Sequence, residues 1–149
     1  MKDPRPLVDL PDLNLWLALA WGGHRHQGTA CRYWEEQAAD TVVFTTVTAL
    51  GLVRLLSQPR AMGEASLSLG QASAVQAAFQ EQPGVRLVDD AAANWPVFRQ
   101  LLSRGTWPAR LCTDVHLAAI AIAEGWRLVS FDRDFGRFSG LLWLPLAGE

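Results

Sequence analysis

Residues 7–12, LVDLPD, and residues 127–132, RLVSFD, each place an aspartate at the end of a short β-prone run. A third aspartate, Asp114, opens a long apolar run. In an α/β sheet, the carboxyl ends of strands and the starts of helices converge on one crevice. Carboxylates gathered there repel each other unless a hard cation lies between them, and Mg²⁺ prefers one or two carboxylates with water and phosphate oxygens. The pattern therefore indicates metal-assisted phosphodiester chemistry at Asp12, Asp114 and Asp132.

Strand-length and helix-length segments alternate along the rest of the chain. The predicted strands cover residues 7–10, 41–45, 85–88, 127–131 and 141–144. The predicted helices cover residues 14–20, 27–37, 47–56, 69–81, 94–104 and 114–124. The expected helix N-caps are Ser68, Asn94 and Thr113, and Gly125 is the expected end of the last helix. This alternation predicts an α/β fold with a central, mostly parallel sheet of about five strands, flanked by helices, in a single domain over residues 1–149.

Size and composition agree with one folded domain. The chain has 149 residues, half of them hydrophobic, and a net charge of −2. No apolar run reaches the ~18 residues of a membrane span, and residues 1–5 lack the apolar core of a signal peptide. Cys31 and Cys112 have no metal-like spacing and are predicted to be buried and reduced. We therefore expect a cytoplasmic protein that makes no membrane contact.

The kinds of basic residue in the chain argue against two classes of phosphate-handling protein but do not decide whether the chain binds RNA. Twelve of the thirteen are arginine, whose fork suits phosphate, but the slight net acidity argues against a bulk electrostatic grip on nucleic acid. No lysine follows Lys2, which counts against phospho-acceptor domains and aspartate-based phosphatases. The chain also has no Gly-Lys-Ser/Thr sequence, which excludes a P-loop nucleotide-binding site.

Four short motifs in order resemble those of a known family. They are PDLNLWLAL at 11–19, TALGLVRLL at 48–56, TDVHLAA at 113–119 and SFDRDF at 130–135. They resemble P-D-x-N-x-x-L-A-L, T-E-L-G-x-x-R-L-L, T-D-x-x-L-A-A and T/S-x-D-x-D-F of PIN-domain ribonucleases, in particular the VapC toxins of bacterial toxin–antitoxin pairs. The resemblance covers about residues 7–144 and implies a PIN-like three-layer domain.

The resemblance implies a Mg²⁺-dependent (or Mn²⁺-dependent) endoribonuclease toxin that hydrolyses phosphodiester bonds of RNA such as tRNA. Asp12, Asp114 and Asp132 would be its catalytic metal ligands. Residues expected behind these ligands or near substrate are Asn14, Thr113, Ser130, Asp134 and His116. The implied partners are a VapB-like antitoxin and a second copy of the chain in a homodimer, with a higher assembly when the antitoxin binds.

Each of these residues also has a plain structural interpretation. Asp12 and Asp114 could be helix-start charges, and Asn14 and Thr113 could be caps. Asp132 and Asp134 could be solvated turn residues.

Position 49 is the one departure among the four motifs, because Ala49 stands where the family has a catalytic Glu. Loss of this carboxylate should weaken metal binding, so we expect the chain to be impaired as a ribonuclease. Two origins are open: an engineered change that silences a toxic enzyme, which the otherwise intact motifs favour, or natural loss. The alternative function is a naturally inactive PIN domain that binds RNA or an antitoxin.

Other polar and aromatic residues have default structural predictions. His24 and His26 lie in a polar loop, and Asp9 is expected to face solvent or form an ion pair. The tryptophans are predicted in the core or at a subunit interface, with stacking on an RNA base as the less favoured alternative. In the VapC resemblance, the early helices form an antitoxin groove in which Trp16 and Trp21 would take part.

Overall fold

The sheet of this computed structural model, which describes residues 7–89 and 91–147, has five strands that all run parallel. The strands are β1 (Val8–Pro11), β2 (Thr41–Thr45), β3 (Val85–Val88), β4 (Arg127–Ser130) and β5 (Leu142–Pro145). They lie in the order β3-β2-β1-β4-β5, so the chain reverses its direction of travel across the sheet after β3. The prediction of a mostly parallel sheet is confirmed. Parallel strands place all five carboxyl ends at one edge of the sheet.

Helices follow the strands in the predicted order. They are α1 (Leu13–Ala20), α2 (Gln27–Glu36), α3 (Thr46–Leu56), α4 (Pro59–Met62), α5 (Leu69–Gln80), α6 (Trp95–Ser103) and α7 (Cys112–Glu124). The sequence did not predict the short α4, nor the 3₁₀ turns at Gly63–Ala65, Ala92–Asn94, Ala109–Leu111 and Arg133–Arg137. Segments this short carry too few residues to show a helical period. In the part of the chain that the structure describes, no helix has the length and apolarity to cross a membrane.

Strand residues alternate between two apolar layers. Leu10, Val43 and Leu128 join the core on the side of α6 and α7. Phe44 faces the other side, where Trp16 stacks on it with ring centroids 3.8 Å apart. Because successive strand side chains point to opposite faces, both faces of the sheet are buried. The core prediction is confirmed for Trp16, whose complete burial removes it from any open antitoxin groove.

The three predicted N-caps have different outcomes: Ser68 is confirmed, Asn94 is at the N-cap position but does not cap through its side chain, and Thr113 is wrong. Ser68 caps α5 as expected, in a capping box with Gln71. Asn94 precedes α6, but its backbone is helical and its side chain makes no capping hydrogen bond. Thr113 lies inside the first turn of α7, because Leu111 occupies the N-cap position. In both cases a 3₁₀ turn runs directly into the helix and already satisfies the first backbone N–H group.

The cysteines are not buried, contrary to prediction. Cys112 is exposed and Cys31 is partly exposed, and both are free thiols. The helical period explains Cys31, because α2 directs its neighbour Ala30 and Tyr33 into the core instead.

Asp9 is fully buried at the amino end of the sheet. Its carboxylate accepts hydrogen bonds from the Tyr33 hydroxyl at 2.5 Å, the Ala39 N–H at 3.0 Å and both Nε and Nη2 of Arg127 at 2.8 and 2.9 Å. Burial first, and then the Asp9 charge, raise the pKa of Tyr33. The ion-pair prediction for Asp9 is confirmed and the solvent-facing one is wrong. This pair joins β1, α2 and β4 on the side opposite the acidic site.

Candidate active site

The predicted acidic residues lie at the carboxyl edge of the sheet. Asp12 follows β1 and is the N-cap of α1, and Asp132 follows β4, the neighbouring strand. Asp114 lies in the first turn of α7, whose far end leads into β4. The parallel topology therefore brings together residues separated by more than a hundred positions in sequence.

Asp12 is buried and held by two donors. The Leu13 N–H donates to Oδ1 at 2.7 Å, and the Ser130 hydroxyl donates to Oδ2 at 2.9 Å. Burial raises the pKa of Asp12, the two hydrogen bonds oppose this, and the charge of Asp132 raises it further. The side chain is thus fixed in one orientation although its environment disfavours its charge.

Ser130 links the acidic residues to each other. It is fully buried, and besides donating to Asp12 it accepts from the Asp132 N–H at 2.9 Å and from Asn14 Nδ2 at 3.3 Å. These three hydrogen bonds use the hydroxyl completely. The geometry gives Ser130 a positioning role. Asn14 Oδ1 is buried and has no hydrogen-bond partner among the described residues.

Asp132 and Asp134 occupy the 3₁₀ turn after β4. The Asp134 N–H donates to Asp132 Oδ1 at 2.9 Å, which orients the Asp132 carboxylate. Asp134 itself faces two guanidinium groups, Arg110 at 3.5 Å and Arg137 at 3.4 Å. Sequence analysis missed both arginines, and only the alternation of charge in DRDFGR pointed to Arg137.

Asp114 is a second carboxyl group of the site whose pKa is raised. Burial, followed by the charges of Asp12, Asp132 and Asp134, raises its pKa to about 7, and Arg110 opposes this. No hydrogen bond to its carboxylate is found among the described residues. The charges of all three other acids therefore act on Asp114, which supports the convergence of the four carboxyl groups at this edge of the sheet.

The described residues do not form a closed metal cage. Within residues 7–89 and 91–147, no three His, Cys, Asp or Glu side chains lie close enough together to hold a metal ion. The oxygen donors at this edge include the carboxylates of Asp12, Asp114, Asp132 and Asp134, and Asn14 Oδ1 lies beside Ser130.

The remaining predicted residues surround this centre. Ala49 is partly buried near the start of α3, at the end of the strand next to β1, and packs against the core around Trp16. Thr113 is exposed next to Asp114. His116 contacts the rings of Trp95 and Phe98, with centroids 6.1 and 5.8 Å away.

The loop before α2 also reaches this region, which the sequence did not indicate. His26 stacks on Phe131, the residue before Asp132, with ring centroids 4.6 Å apart. The His24 ring in turn accepts a hydrogen bond from the His26 N–H at 3.0 Å. Burial, followed by the neighbouring His26 and Arg25 charges, lowers the pKa of His24. These contacts are consistent with the structural role expected for the two histidines.

Comparison with known proteins assigns the chain to a family. The PIN domain family matches residues 10–141. The chain is 34% identical over 143 residues to ribonuclease VapC41 of Mycobacterium tuberculosis, covering 89% of this chain and 94% of the relative.

Solved structures show the same fold at lower identity. A crystal structure of VapBC2 from Rickettsia felis, bound to a DNA fragment from their promoter, aligns with a TM-score of 0.70 at 16% identity, over 95% of this chain and 100% of that chain. VapC20 of Mycobacterium tuberculosis, described as a Sarcin-Ricin loop cleaving toxin, aligns with a TM-score of 0.68 at 22% identity, over 90% and 98%. Motifs, sheet order and these matches together show that the chain belongs to the PIN-domain family and, within it, to the VapC group.

Proposed function

We propose that this chain is a metal-dependent endoribonuclease toxin of a toxin–antitoxin pair. The observation that carries the proposal is the convergence of Asp12, Asp114 and Asp132, whose mutual repulsion helps to raise the pKa of Asp114 to about 7. A cation held by these carboxylates would relieve that repulsion, and Mg²⁺ favours phosphate oxygens, which RNA carries. The curated VapC relatives are named ribonucleases, which supports RNA as the substrate. Such a toxin would act in the cytoplasm, on RNA such as tRNA.

The donor set fits Mg²⁺ or Mn²⁺. Both are hard cations that favour oxygen, and Mg²⁺ is usually held by one or two carboxylates plus waters and substrate phosphate. It therefore does not require the closed group of three ligands that the described residues lack. The unpartnered Asn14 Oδ1 is a further oxygen that water or a cation could satisfy. When bound, the cation supplies positive charge at the phosphate and lowers the pKa of water.

Residues of the chain would orient the carboxylates of the site and set their charge. Leu13 N–H and Ser130 hold the Asp12 carboxylate, and the Asp134 N–H holds that of Asp132. Asp114 has no such anchor, and its pKa of about 7 lets it hold a proton near neutral pH in the metal-free site. Arg110, paired with Asp134 at the exposed rim, offers a guanidinium to the RNA backbone.

We further propose that Ala49 impairs this chain. It contributes a methyl group near the start of α3, where the motif calls for a carboxylate. One acid fewer weakens the hold on a cation, because metal affinity depends on the number of charged ligands. This missing carboxylate is also the observation that favours the second candidate, an inactive PIN domain that binds RNA or an antitoxin.

The decisive experiment measures cleavage of total tRNA with Mg²⁺ and with Mn²⁺. Three proteins are compared: this chain, Ala49→Glu, and Ala49→Glu combined with Asp12→Asn. We expect cleavage by Ala49→Glu, little by the chain itself and none by the double variant. Robust cleavage by the chain itself would refute the impairment. If no folded variant cuts RNA, the binding-module candidate is preferred.

We also propose a VapB-like antitoxin and a homodimer. The support for the antitoxin is an apolar groove between α1, α2 and α5, of about 290 Å³, lined mainly by Leu19, Trp34, Val75, Ala78 and Phe79. An amphipathic helix could lay its apolar face there. Ala78→Glu should prevent co-purification with a co-expressed VapB-like chain while leaving the fold intact. Sedimentation of the chain alone, and with that partner, tests the homodimer and its higher assembly.

A further inference from the structure

A group of aromatic rings lies beside the acidic residues without belonging to them. This group, here called the aromatic pocket, consists of Trp95, Phe98 and His116, with Val47, Cys112 and Thr113 completing its walls. The Trp95 and Phe98 ring centroids are 4.6 Å apart, and each ring also meets the His116 imidazole. Three rings from α6 and α7 therefore form one concave surface.

The aromatic pocket is open to solvent. Trp95 is 45% exposed, whereas Phe98 beneath it is 7% exposed. A cavity of about 260 Å³ lies over the rings, and a second of about 570 Å³ shares Trp95 and His116 with it. Arg99 lines the second cavity. An exposed aromatic ring can stack on a nucleic-acid base, and a nearby arginine can attract the phosphate of that nucleotide. Trp95 and Arg99 provide this combination.

The position of the aromatic pocket relates it to the acidic site. Thr113, which lines it, immediately precedes Asp114 in the first turn of α7, and His116 follows two residues later. Adjacent residues of a helix turn point in directions about 100° apart, so Asp114 faces the other acids while its neighbours face the rings. Asp114 therefore lies between two residues of the same helix, Thr113 and His116, that line the aromatic pocket.

We propose that the aromatic pocket binds an unpaired base of the RNA substrate, next to the phosphate held at the carboxylates, by stacking it on Trp95. The inference rests on the proposed ribonuclease function and adds to it a subsite that selects single-stranded or looped RNA. Base-paired RNA buries its base faces in the stack and cannot fill the aromatic pocket. The continuity with the acidic site and the nearby Arg99 favour a nucleotide over an apolar protein segment.

The test measures binding rather than cleavage, so that it does not require the chain to be catalytically active. Fluorescence anisotropy in Ca²⁺ compares a short labelled single-stranded RNA with an abasic RNA of the same length. The proteins are the unchanged chain, Trp95→Ala, Trp95→Phe, and Leu69→Ala as a control for loss of an exposed apolar side chain, since Leu69 is 67% exposed on α5. Sedimentation of each variant is measured in parallel.

Stacking of one base on an aromatic ring predicts a binding loss of about 5- to 150-fold for Trp95→Ala. Trp95→Phe should retain most of the affinity, Leu69→Ala should change nothing, and the abasic RNA should bind all variants about equally. Unchanged affinity of Trp95→Ala for the base-containing RNA would overturn the inference and leave the proposed function standing. So would dissociation of a dimer by Trp95→Ala, which would make the rings a subunit interface. If the unchanged chain binds neither RNA, both this inference and the RNA-directed function fail.

Discussion

Ser130→Ala is the substitution that best tests how the acidic site is held together. The change removes a fully buried hydroxyl that bonds to Asp12, Asp132 and Asn14. A hydrogen bond to a charged group contributes about 1.5–3 kcal/mol. Asp132 is only partly buried, so we expect water to replace part of the bond that its N–H loses, and this bond adds at most about 1 kcal/mol. We expect the free energy of unfolding to fall by about 2–3 kcal/mol, which lowers Tm by about 4–12 °C.

The loss should depend on pH with a definite sign. The Ser130 hydrogen bond lowers the pKa of Asp12, so Ser130→Ala raises that pKa still further above its ordinary value. At a pH above the Asp12 pKa of both the unchanged chain and the variant, Asp12 is ionised and the variant holds this carboxylate with one hydrogen-bond donor fewer. At a pH below both pKa values, Asp12 is protonated in both proteins. The destabilisation is therefore larger at alkaline than at acid pH.

Urea unfolding, followed by tryptophan fluorescence across this pH range, measures the effect. Ser57→Ala is the matched control, because the Ser57 hydroxyl donates to an uncharged acceptor, the Val53 carbonyl, at 2.6 Å, at the end of α3. Its effect should be at most about 1 kcal/mol and independent of pH. A Ser130→Ala loss no larger than that of Ser57→Ala, or one that shrinks as pH rises, would refute the reasoning.

Three further substitutions test separate parts of the structure. Arg127→Leu leaves the buried Asp9 carboxylate without its cation and should lower the free energy of unfolding, measured in urea, by about 3–5 kcal/mol. A loss below about 1 kcal/mol would contradict the buried ion pair. Asp114→Asn should raise Tm of the metal-free chain above about pH 7. A carboxyl group whose pKa is raised to about 7 in the folded state destabilises the protein as pH rises from the unfolded-state pKa toward 7, and Asn has no such charge. The Tm values of the two proteins should converge near pH 4, and a difference in Tm that does not change with pH would contradict the assigned pKa. Gly84→Ala should lower Tm by several degrees, because Gly84 has φ +82° and a Cβ there would lie 2.1 Å from the Asp40 carbonyl oxygen; equal stability by calorimetry would argue against this turn.

Most of the fold was readable from local sequence. Thr41–Thr45 and Val85–Val88 carry β-branched, apolar runs bounded by breakers, and both strands occur as predicted. Ser68 and Gly125 bound their helices because capping depends on residues within one turn. Thr113 was misassigned as an N-cap, and Asn94 lies at its predicted position without a capping hydrogen bond, because the preceding 3₁₀ turns are too short to show a period.

Some features of the candidate site could likewise be predicted from the sequence, and others could not. The sequence by itself determined which carboxylates stand at strand ends and helix starts, and that position 49 lacks one, since chain order and residue type suffice for both. Tertiary structure alone decided that Ser130 bonds to Asp12, a residue 118 positions away, and that Arg110 opposes the raised pKa of Asp114. It also decided that Trp95, Phe98 and His116 form one pocket. The physical reason is that hydrogen bonds, burial and pKa shifts depend on distances in space, which only the packing of the parallel sheet and its helices sets.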